Sequence, residues 1–209
     1  IERYRISSIE PNLLKDEIIE FVSKSNKFLP HFHIPLQSGS NEILGKMKRR
    51  YRRELFAERV NQIKEIMPDA FIGVDVIVGF PGETDEKFQE TYDFLNALEI
   101  SFLHVFSYSI RPGTPAAEME EQVDQQIIQL RSKQLHQLSE YKHRLFYQKN
   151  TDQEGTVLFE AKNEKGFMYG FTKNYLKVEV PFSEKRINCI ENVILSNLTS
   201  KNTFKIKEA

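Results

Sequence analysis

The clearest fold signal in this 209-residue chain is the stretch Ile72-Gly73-Val74-Asp75-Val76-Ile77-Val78-Gly79-Phe80-Pro81-Gly82-Glu83. Its first seven residues are apolar except for Asp75 and Gly73, and such a near-continuous run predicts a parallel strand covered on both faces. A carboxylate at Asp75 is costly unless it is paired or faces a polar interior, which favours a barrel whose lumen holds a ligand. Gly79 and Gly82 permit close backbone approach where the strand ends.

A strand followed by a helix recurs four times around this stretch. The predicted strands are residues 4–9, 32–36, 71–78 and 102–108, and the last helix runs from about 124 to 148. Four such units in a row imply an α/β fold with parallel strands and right-handed crossovers. Ser40 and Thr84 are expected to be helix N-caps.

The last part of the chain consists of short β-rich runs separated by turn residues. The predicted strands are residues 156–161, 167–171, 175–180, 188–195 and 203–206. Five short strands fit a small all-β barrel of the oligonucleotide-binding kind. We therefore expect two domains, an α/β domain at 1–149 and a β domain at 150–209.

Composition excludes several classes of protein. The 40% hydrophobic and 28% charged content is typical of a soluble globular protein. No apolar run reaches the roughly 18 residues of a membrane helix and no secretory signal is present, so we expect a cytoplasmic protein without membrane contact. The formal net charge of −1 means that any polyanion site is local. Cys189 is the only cysteine, which excludes motifs of two or more thiolates. The chain opens at Ile1 without Met, which favours a piece of a longer protein.

Candidate binding residues lie in the loops that follow the predicted strands, where parallel α/β proteins collect function. Glu10 follows the first strand, and Gln37 and Ser38 follow the second and can offer an amide and a hydroxyl to a ribose or carboxylate. Arg111 follows the fourth strand in Ser109-Ile110-Arg111-Pro112-Gly113-Thr114-Pro115. An ordinary turn explains each loop equally well.

Cations and histidines form two further patterns. Six cations fall within eight residues without an intervening acid, which favours phosphate or carboxylate contacts over a merely solvated helix face; they are Lys46, Lys48, Arg49, Arg50, Arg52 and Arg53. His31 and His33 share one face of a strand. Because no third ligand is apparent, we predict hydrogen-bonded histidines and no metal site.

Aromatic and basic residues alternate in the β domain, as RNA stacking and phosphate contact require. The aromatics are Phe159, Phe167, Tyr169, Phe171, Tyr175 and Phe182, and the lysines are Lys162, Lys165, Lys173 and Lys177. A small barrel also needs aromatics as core, and alternation would bury about half of them. The RNA prediction therefore depends mainly on Lys173, Asn174 and Tyr175.

In chain order these motifs resemble those of the radical S-adenosylmethionine methylthiotransferases. The motifs are Ser7-Ser8-Ile9-Glu10-Pro11, His31-Phe32-His33-Ile34-Pro35-Leu36-Gln37-Ser38-Gly39-Ser40, Asp75-Val76-Ile77-Val78-Gly79-Phe80-Pro81-Gly82-Glu83-Thr84, the Arg111 loop and Gly170-Phe171-Thr172-Lys173-Asn174-Tyr175. The first motif and Met47-Lys48-Arg49-Arg50-Tyr51 are most similar to the branch that methylthiolates N6-threonylcarbamoyladenosine beside the anticodon of tRNA. Sister branches, which act on isopentenyladenosine or on a ribosomal protein, usually differ there.

The resemblance implies the later units of a (β/α)6 partial barrel followed by a TRAM module that grips tRNA. It places Gln37 and Ser38 near the ribose or amino-acid part of S-adenosylmethionine and Arg49 near its carboxylate. It also assigns Asp75 and the Val78-Gly79-Phe80 backbone to the cofactor site. Glu10 and Arg111 would face the substrate base, and Lys173, Asn174 and Tyr175 would contact RNA.

Departures from the family pattern concern its two 4Fe-4S clusters. Their cysteine triplets are absent, so we expect no catalytic residue and no metal ligand in this chain, and a parent enzyme whose clusters lie upstream. Alone, the chain is predicted to be inactive. Its exposed half-barrel edges, beginning with residues 4–9, predict an oligomer or strand exchange.

Two other classes of function remain open at this point. One is a non-enzymatic RNA-binding protein in which the α/β part only presents the β domain. The other is an unrelated barrel enzyme that uses Glu10, Asp75 and Glu83 as acid-base groups, which requires these carboxylates to be close in space.

Overall fold

A computed structural model describes residues 1–208, in which a three-stranded parallel sheet precedes a closed β-barrel. The sheet has the order β1-β2-β3, with β1 at His31–Gln37, β2 at Phe71–Val78 and β3 at Phe102–Ser107. Its helices are α1 (Asp16–Lys24), α2 (Asn41–Lys46), α3 (Arg53–Ile66), α4 (Asp85–Ala97) and α5 (Gln125–Lys149). A short 3-10 helix covers Pro115–Glu118.

The two faces of the sheet are built by alternate residues of each strand. One face, here called the helix face, packs into the main hydrophobic core, and its members are Phe32, Ile34, Leu36, Ile72, Val74, Val76, Val78 and Leu103. The opposite face, here called the open face, carries His31, His33, Phe71, Gly73, Asp75, Ile77, Phe102, His104 and Phe106. The apolar run in β2 predicted cover on both faces, but Asp75 and Ile77 are only half-buried.

The predicted first strand at residues 4–9 does not form. Tyr4 makes one isolated parallel bridge with Phe28, and the Ile9 N–H donates to the His33 carbonyl at 3.0 Å. The next N–H on this side is that of His31, and it donates to the Leu29 carbonyl at 2.7 Å instead of to residues 4–9. A continuous ladder therefore lacks this donor, so the prediction of a strand at residues 4–9 was wrong.

Helix starts agree with the sequence at α4 and differ at α2. The Thr84 hydroxyl accepts from the Lys87 N–H at 3.4 Å, as expected of an N-cap. Asp124 caps α5 by accepting from the Gln126 N–H at 2.7 Å. Ser40 stands at the N-cap position of α2, but its side chain makes no capping hydrogen bond. Its N–H instead donates to the Ser38 hydroxyl at 3.1 Å.

The second part of the chain forms a barrel closed in the order β4-β5-β6-β8-β7. Its strands are Glu154–Phe159, Phe167–Phe171, Lys177–Pro181, Ile190–Leu198 and Phe204–Glu208, numbered β4 to β8 in chain order. Interior positions alternate with exterior ones, so Phe159, Met168, Val178 and Phe204 are fully buried. The five predicted strands are therefore present, with ends shifted by a few residues.

The barrel is attached to the sheet through the end of α5 and through a turn between β5 and β6. Phe146 and Tyr147 of α5 belong to the barrel core, and the Lys177 N–H donates to the Tyr147 hydroxyl at 2.8 Å. The Asn174 amide donates to the Asn150 side chain at 3.0 Å and to the Asp69 carbonyl at 3.2 Å. These contacts cover the amino-terminal end of the open face.

One edge of the sheet is open, because β3 pairs only with β2 within residues 1–208. Oligomerisation or strand exchange through such an edge remains a prediction, and light scattering that shows a monomer at high concentration would contradict it. Among the helices of the described part of the chain, none is long and apolar enough to cross a membrane.

Candidate functional site

A cavity of about 660 Å³ lies at the carboxyl ends of β2 and β3. Phe80 and Ile77 form its apolar wall on the β2 side, and Arg111 lies in the loop after β3. The segment after α2 adds a basic wall. The lining residues are Lys46, Met47, Lys48, Arg49, Ile77, Phe80, Phe106, Ser107, Tyr108, Ser109, Arg111, Thr114, Pro115, Ala116 and Met119. The predicted residues Arg49, Phe80 and Arg111 are thus brought together.

Arg49 forms an ion pair with Glu10, at 2.9 Å between Nη1 and Oε1. Both side chains are about one third exposed, at 30% and 36%. A pair so exposed contributes little stability, typically about 0–1 kcal/mol. A ligand carboxylate can therefore compete with Glu10 for Arg49 at small cost.

Of the other five cations in this run, two form ion pairs with carboxylates and three form none in the described part of the chain. Lys46 pairs with Glu121, and Arg53 pairs with Glu54 at 3.3 Å. For Lys48, Arg50 and Arg52, no ion pair is found within residues 1–208. Lys48 also lines the cavity, so its charge is available to an anionic ligand.

A buried ion pair fixes the loop that continues β2. Arg131 of α5 donates to Glu83 Oε2 at 2.8 Å and to the Glu83 carbonyl at 2.9 Å, and Glu83 Oε2 also accepts the Gly79 N–H at 2.7 Å. The side chains of Glu83 and Arg131 are only 1% and 5% exposed. Burial raises the pKa of Glu83, while the Gly79 N–H and Arg131 oppose that rise.

This loop explains the glycine at its start. Gly79 has a φ of +78°, and an added Cβ would lie 2.3 Å from a side-chain carbon of Ile128 in α5. The close approach expected from the sequence is therefore an approach to α5. Arg131 is not among the residues predicted from the sequence. Its position one helical turn from Ile128 and Leu135 was the available signal, because it places a cation on an otherwise apolar helix face.

Gln37 and Ser38 do not line the cavity. Ser38 is fully buried, and its hydroxyl lies 3.3 Å from the Thr91 hydroxyl of α4. Gln37 ends β1 with a φ of +72°. Nearby, the Tyr51 hydroxyl donates to the Pro35 carbonyl at 2.8 Å, and burial raises the pKa of Tyr51 to about 12. These groups hold the turn after β1 in shape.

Three side chains meet at the centre of the open face. Asp75 Oδ1 lies 2.6 Å from His33 Nε2, and the rings of His33 and His104 are 4.9 Å apart. One ligand atom from each of His33, Asp75 and His104 lies within 4.8 Å of the other two. From the sequence no third group is expected beside the two histidines, but the fold brings Asp75 and His104 next to His33. The alternation of Phe102, His104 and Phe106 was the signal that could have found His104.

Aromatic groups of the barrel lie close to basic groups, partly where the barrel meets the α/β part. Tyr175 stacks on Phe171 with ring centroids 4.9 Å apart, and the Arg5 guanidinium lies 5.0 Å above the Tyr175 ring. Lys177 Nζ lies 3.9 Å from the centre of the Tyr169 ring. Lys173 is exposed, whereas the Asn174 amide is directed to the α/β part.

The three carboxylates of the acid-base hypothesis have different partners. Glu10 pairs with Arg49, Asp75 with His33, and Glu83 with Arg131. No shared acid-base centre is formed among them within residues 1–208, so the structure gives that hypothesis no support.

Comparisons with known proteins agree with this architecture. Residues 1–95 match the radical SAM superfamily. The threonylcarbamoyladenosine tRNA methylthiotransferase MtaB of Bacillus subtilis (strain 168) is 42% identical over 200 residues, which are 92% of this chain and 44% of that protein. The tRNA-2-methylthio-N(6)-dimethylallyladenosine synthase of Natranaerobius thermophilus is 38% identical over 209 residues, 98% of this chain and 46% of that protein.

A solved structure shows the same fold. The radical SAM enzyme coproporphyrinogen III oxidase (HemN) of Escherichia coli superposes with a TM-score of 0.54 at 18% identity, over 69% of this chain and 32% of that one. The chain spans less than half the length of the curated relatives that it matches. It therefore belongs to the radical SAM superfamily, and along nearly its whole length it resembles methylthiotransferases of that superfamily.

Proposed function

We propose that this chain is the RNA-facing part of a methylthiotransferase that converts N6-threonylcarbamoyladenosine in tRNA to its 2-methylthio form. The observation that carries the proposal is the similarity to the Bacillus subtilis enzyme along 92% of the chain. Residues 1–149 act as the later units of a (β/α)6 partial barrel, and residues 150–209 act as a TRAM domain. Cytoplasmic tRNA is the partner.

S-adenosylmethionine fits the cavity at the ends of β2 and β3. The cavity volume of about 660 Å³ lies within the range of roughly 300–1,000 Å³ that is typical of small-molecule sites. Phe80 supplies an apolar surface for the adenine, and Arg49 exchanges Glu10 for the methionine carboxylate. The backbone of Val78 and Gly79, held by Glu83, borders the adenine. When bound beside an iron-sulfur cluster, S-adenosylmethionine supplies radical chemistry and a methyl group.

Other residues in the proposed site position the ligand indirectly. Ser38 and Gln37 shape the turn that flanks the cofactor, whereas Asp75 pairs with His33 on the open face and does not line the cavity. Arg111 and Glu10 face the substrate base. Two 4Fe-4S clusters complete the enzyme, and both need cysteines beyond the single Cys189 of this chain. The chain alone is therefore inactive.

The outer surface of the barrel is proposed to bind tRNA. Stacked aromatic rings with cations above them provide base stacking and phosphate contact together. Lys173 and Tyr175 belong to this surface, and Phe171, Tyr169, Lys177 and Arg5 extend it. Asn174 contributes by holding the Tyr175 turn against the α/β part.

A second candidate substrate is isopentenyladenosine in tRNA. It is favoured by the 38% identity to the Natranaerobius thermophilus synthase, over 98% of the chain. A ribosomal protein substrate and a purely RNA-binding role have no comparable observation in their favour. Measuring both methylthiolated nucleosides separates the two tRNA substrates from each other and from these two roles.

The deciding experiment measures methylthiolated nucleosides of tRNA by mass spectrometry after deletion of the gene that encodes this chain. We expect loss of 2-methylthio-N6-threonylcarbamoyladenosine, restored by the whole gene and not by residues 1–209 alone. Loss of the isopentenyladenosine derivative instead would establish the second candidate. Unchanged levels of both nucleosides would contradict the proposal, and restoration by residues 1–209 would contradict its inactivity.

A variant of the whole enzyme tests the cavity. Arg49→Ala removes a charge-assisted contact worth about 1.5–3 kcal/mol, so the KM for S-adenosylmethionine should rise at least tenfold with a smaller change in kcat. Lys24→Ala is the matched control, because Lys24 belongs to an exposed ion pair with Glu20 on α1. Equal KM values in the two variants would exclude Arg49 from the cofactor site.

A further inference from the structure

We propose that His33, Asp75 and His104 form a binding site for a divalent first-row transition metal ion at the centre of the open face. This site is separate from the cavity at the strand ends, since none of the three residues lines that cavity. Its donors are nitrogen and oxygen atoms, so the site does not use the single thiol of this chain. The proposal does not depend on the enzymatic function proposed above.

The backbone of the sheet places the three ligands side by side. Each comes from a different strand, in the order β1, β2 and β3. Asp75 is paired in register with His104, and His33 is paired with Gly73, two residues before Asp75 on the same face. Parallel ladders on both sides of β2 fix these positions, so the ligands converge without any loop having to fold around an ion.

The distances suit a metal ion. The ligating atoms of the three residues lie within 4.8 Å of one another, and the shortest separation is 2.6 Å, from His33 Nε2 to Asp75 Oδ1. Nitrogen and oxygen ligands bound at about 2.0–2.2 Å in tetrahedral geometry lie roughly 3.3–3.6 Å apart. Metal binding therefore requires the His33–Asp75 contact to lengthen and His104 to move inward.

The surroundings leave space for the ion. Gly73 lies on the same face and carries no side chain; a Cβ there would be 3.6 Å from His104 Nε2. The side chains of His33 and Asp75 are 26% and 17% exposed, and His104 is more exposed still, so an ion can enter from solvent. Phe102 packs edge-on against the His104 ring, with ring centroids 4.8 Å apart.

The donor set indicates the class of metal. Two imidazole nitrogens and one carboxylate oxygen suit Zn²⁺, Fe²⁺, Co²⁺ or Ni²⁺ and do not suit Mg²⁺ or Ca²⁺, which prefer oxygen ligands. Three protein ligands leave a fourth position for water or for a small anionic ligand. The site is therefore of the open, exchangeable type.

The test titrates the 209-residue chain carrying Cys189→Ser with Zn²⁺ by calorimetry and with Co²⁺ by visible absorption. The substitution removes the one thiol that could bind these ions elsewhere. We expect one Zn²⁺ per chain and a Co²⁺ d–d spectrum without a thiolate charge-transfer band. His104→Gln should weaken Zn²⁺ binding by at least the 10–100-fold typical of a change beside a metal site.

Two further variants make the result specific. His136→Gln is the matched control, because His136 is exposed on α5 away from the sheet. His104→Cys should keep Co²⁺ binding and add a sulfur charge-transfer band, which only a ligand can do. The proposal is overturned if no ion binds, if His136→Gln weakens binding as much as His104→Gln does, or if His104→Cys adds no such band while circular dichroism shows it folded.

Discussion

Along β2, Val74, Val76 and Val78 point to the helices and are fully buried, whereas Asp75 and Ile77 point away from them and remain partly exposed. The same alternation on β1 and β3 separates Ile34 and Leu103 from the histidines of the open face. The two faces share a backbone and differ in what covers them. The helix face is closed by α-helices and can hold only apolar side chains at acceptable cost.

This difference teaches where stability and chemistry are located. The helix face contributes burial and has no polar group that could bind a ligand. The open face is covered by the barrel at its amino-terminal end and by solvent at its centre, and it borders the cavity at its carboxyl end through Ile77 and Phe106. Polar side chains are tolerated on the open face because they remain hydrogen-bonded to other side chains or to water.

The largest expected effect comes from placing the same charge on each face at neighbouring residues. Val76→Asp buries an unpaired carboxylate, at a cost of several kcal/mol against a total stability of about 5–15 kcal/mol. We expect that Val76→Asp abolishes the cooperative thermal transition measured by circular dichroism. Ile77→Asp, one residue further, should retain that transition. Equal melting temperatures for the two variants would refute the distinction between the faces.

A smaller loss is expected where the helix side reaches over the end of β2. Arg131→Met leaves Glu83 buried without its cation, which typically costs about 3–5 kcal/mol. Urea denaturation should show that fall in the free energy of unfolding, and adding Glu83→Gln should recover part of it. Lys24→Met, in an exposed pair, should cost less than about 1 kcal/mol. A cost as small as this for Arg131→Met would mean that the buried pair is not structural.

The smallest effect is a pH dependence at the covered end of the open face. His31 stacks on Phe71 at 5.2 Å and meets the edge of Tyr175 at 4.8 Å. Burial, followed by the charge of Arg5, lowers the pKa of His31 from 6.5 to about 4. Between these values the unfolded chain binds a proton that the folded chain does not, so stability falls as pH falls from 6.5 to 4.

The shift of His31 corresponds to at most about 3 kcal/mol, all of it lost below pH 4. His31→Phe should remove this part of the pH dependence and keep the ring contacts. Chemical denaturation at pH 7 and pH 4.5 measures the difference between the two proteins. His136→Gln, which changes an exposed histidine, should show the same pH dependence as the unsubstituted chain. If His31→Phe leaves the change in unfolding free energy between pH 7 and pH 4.5 unaltered, His31 does not have the lowered pKa.

Much of the fold was predictable because its signals are local. The β2 run, the α5 pattern with its Asp124 cap and the alternation in the barrel each depend on residues close in sequence. The strand predicted at residues 4–9 failed for a non-local reason, since its ladder needed the His31 N–H, which donates to the Leu29 carbonyl instead. A strand exists only if its partner can pair with it.

The candidate site shows the same division. A strand-end loop indicated Arg111, the run of cations indicated Arg49 and the family resemblance indicated Phe80, and these three residues do share one cavity. Ser38 was indicated in the same way, but packing against Thr91 withdraws its hydroxyl from that cavity. Arg131 and His104 were not indicated, because each acquires its meaning from a partner on another element, Glu83 and Asp75 respectively.

The sequence by itself determined the parallel α/β part, the five-stranded barrel, the family resemblance and the absence of cysteine triplets for iron-sulfur clusters. Periodicity, turn residues and motifs can all be read from residues that are close together in the sequence. Only the tertiary structure decided which side chains from distant parts of the chain meet. Examples are the His33–Asp75–His104 cluster, the Glu83–Arg131 pair and the packing of Tyr175 against the sheet. Such contacts depend on strand order and register, which arise from packing of the whole chain.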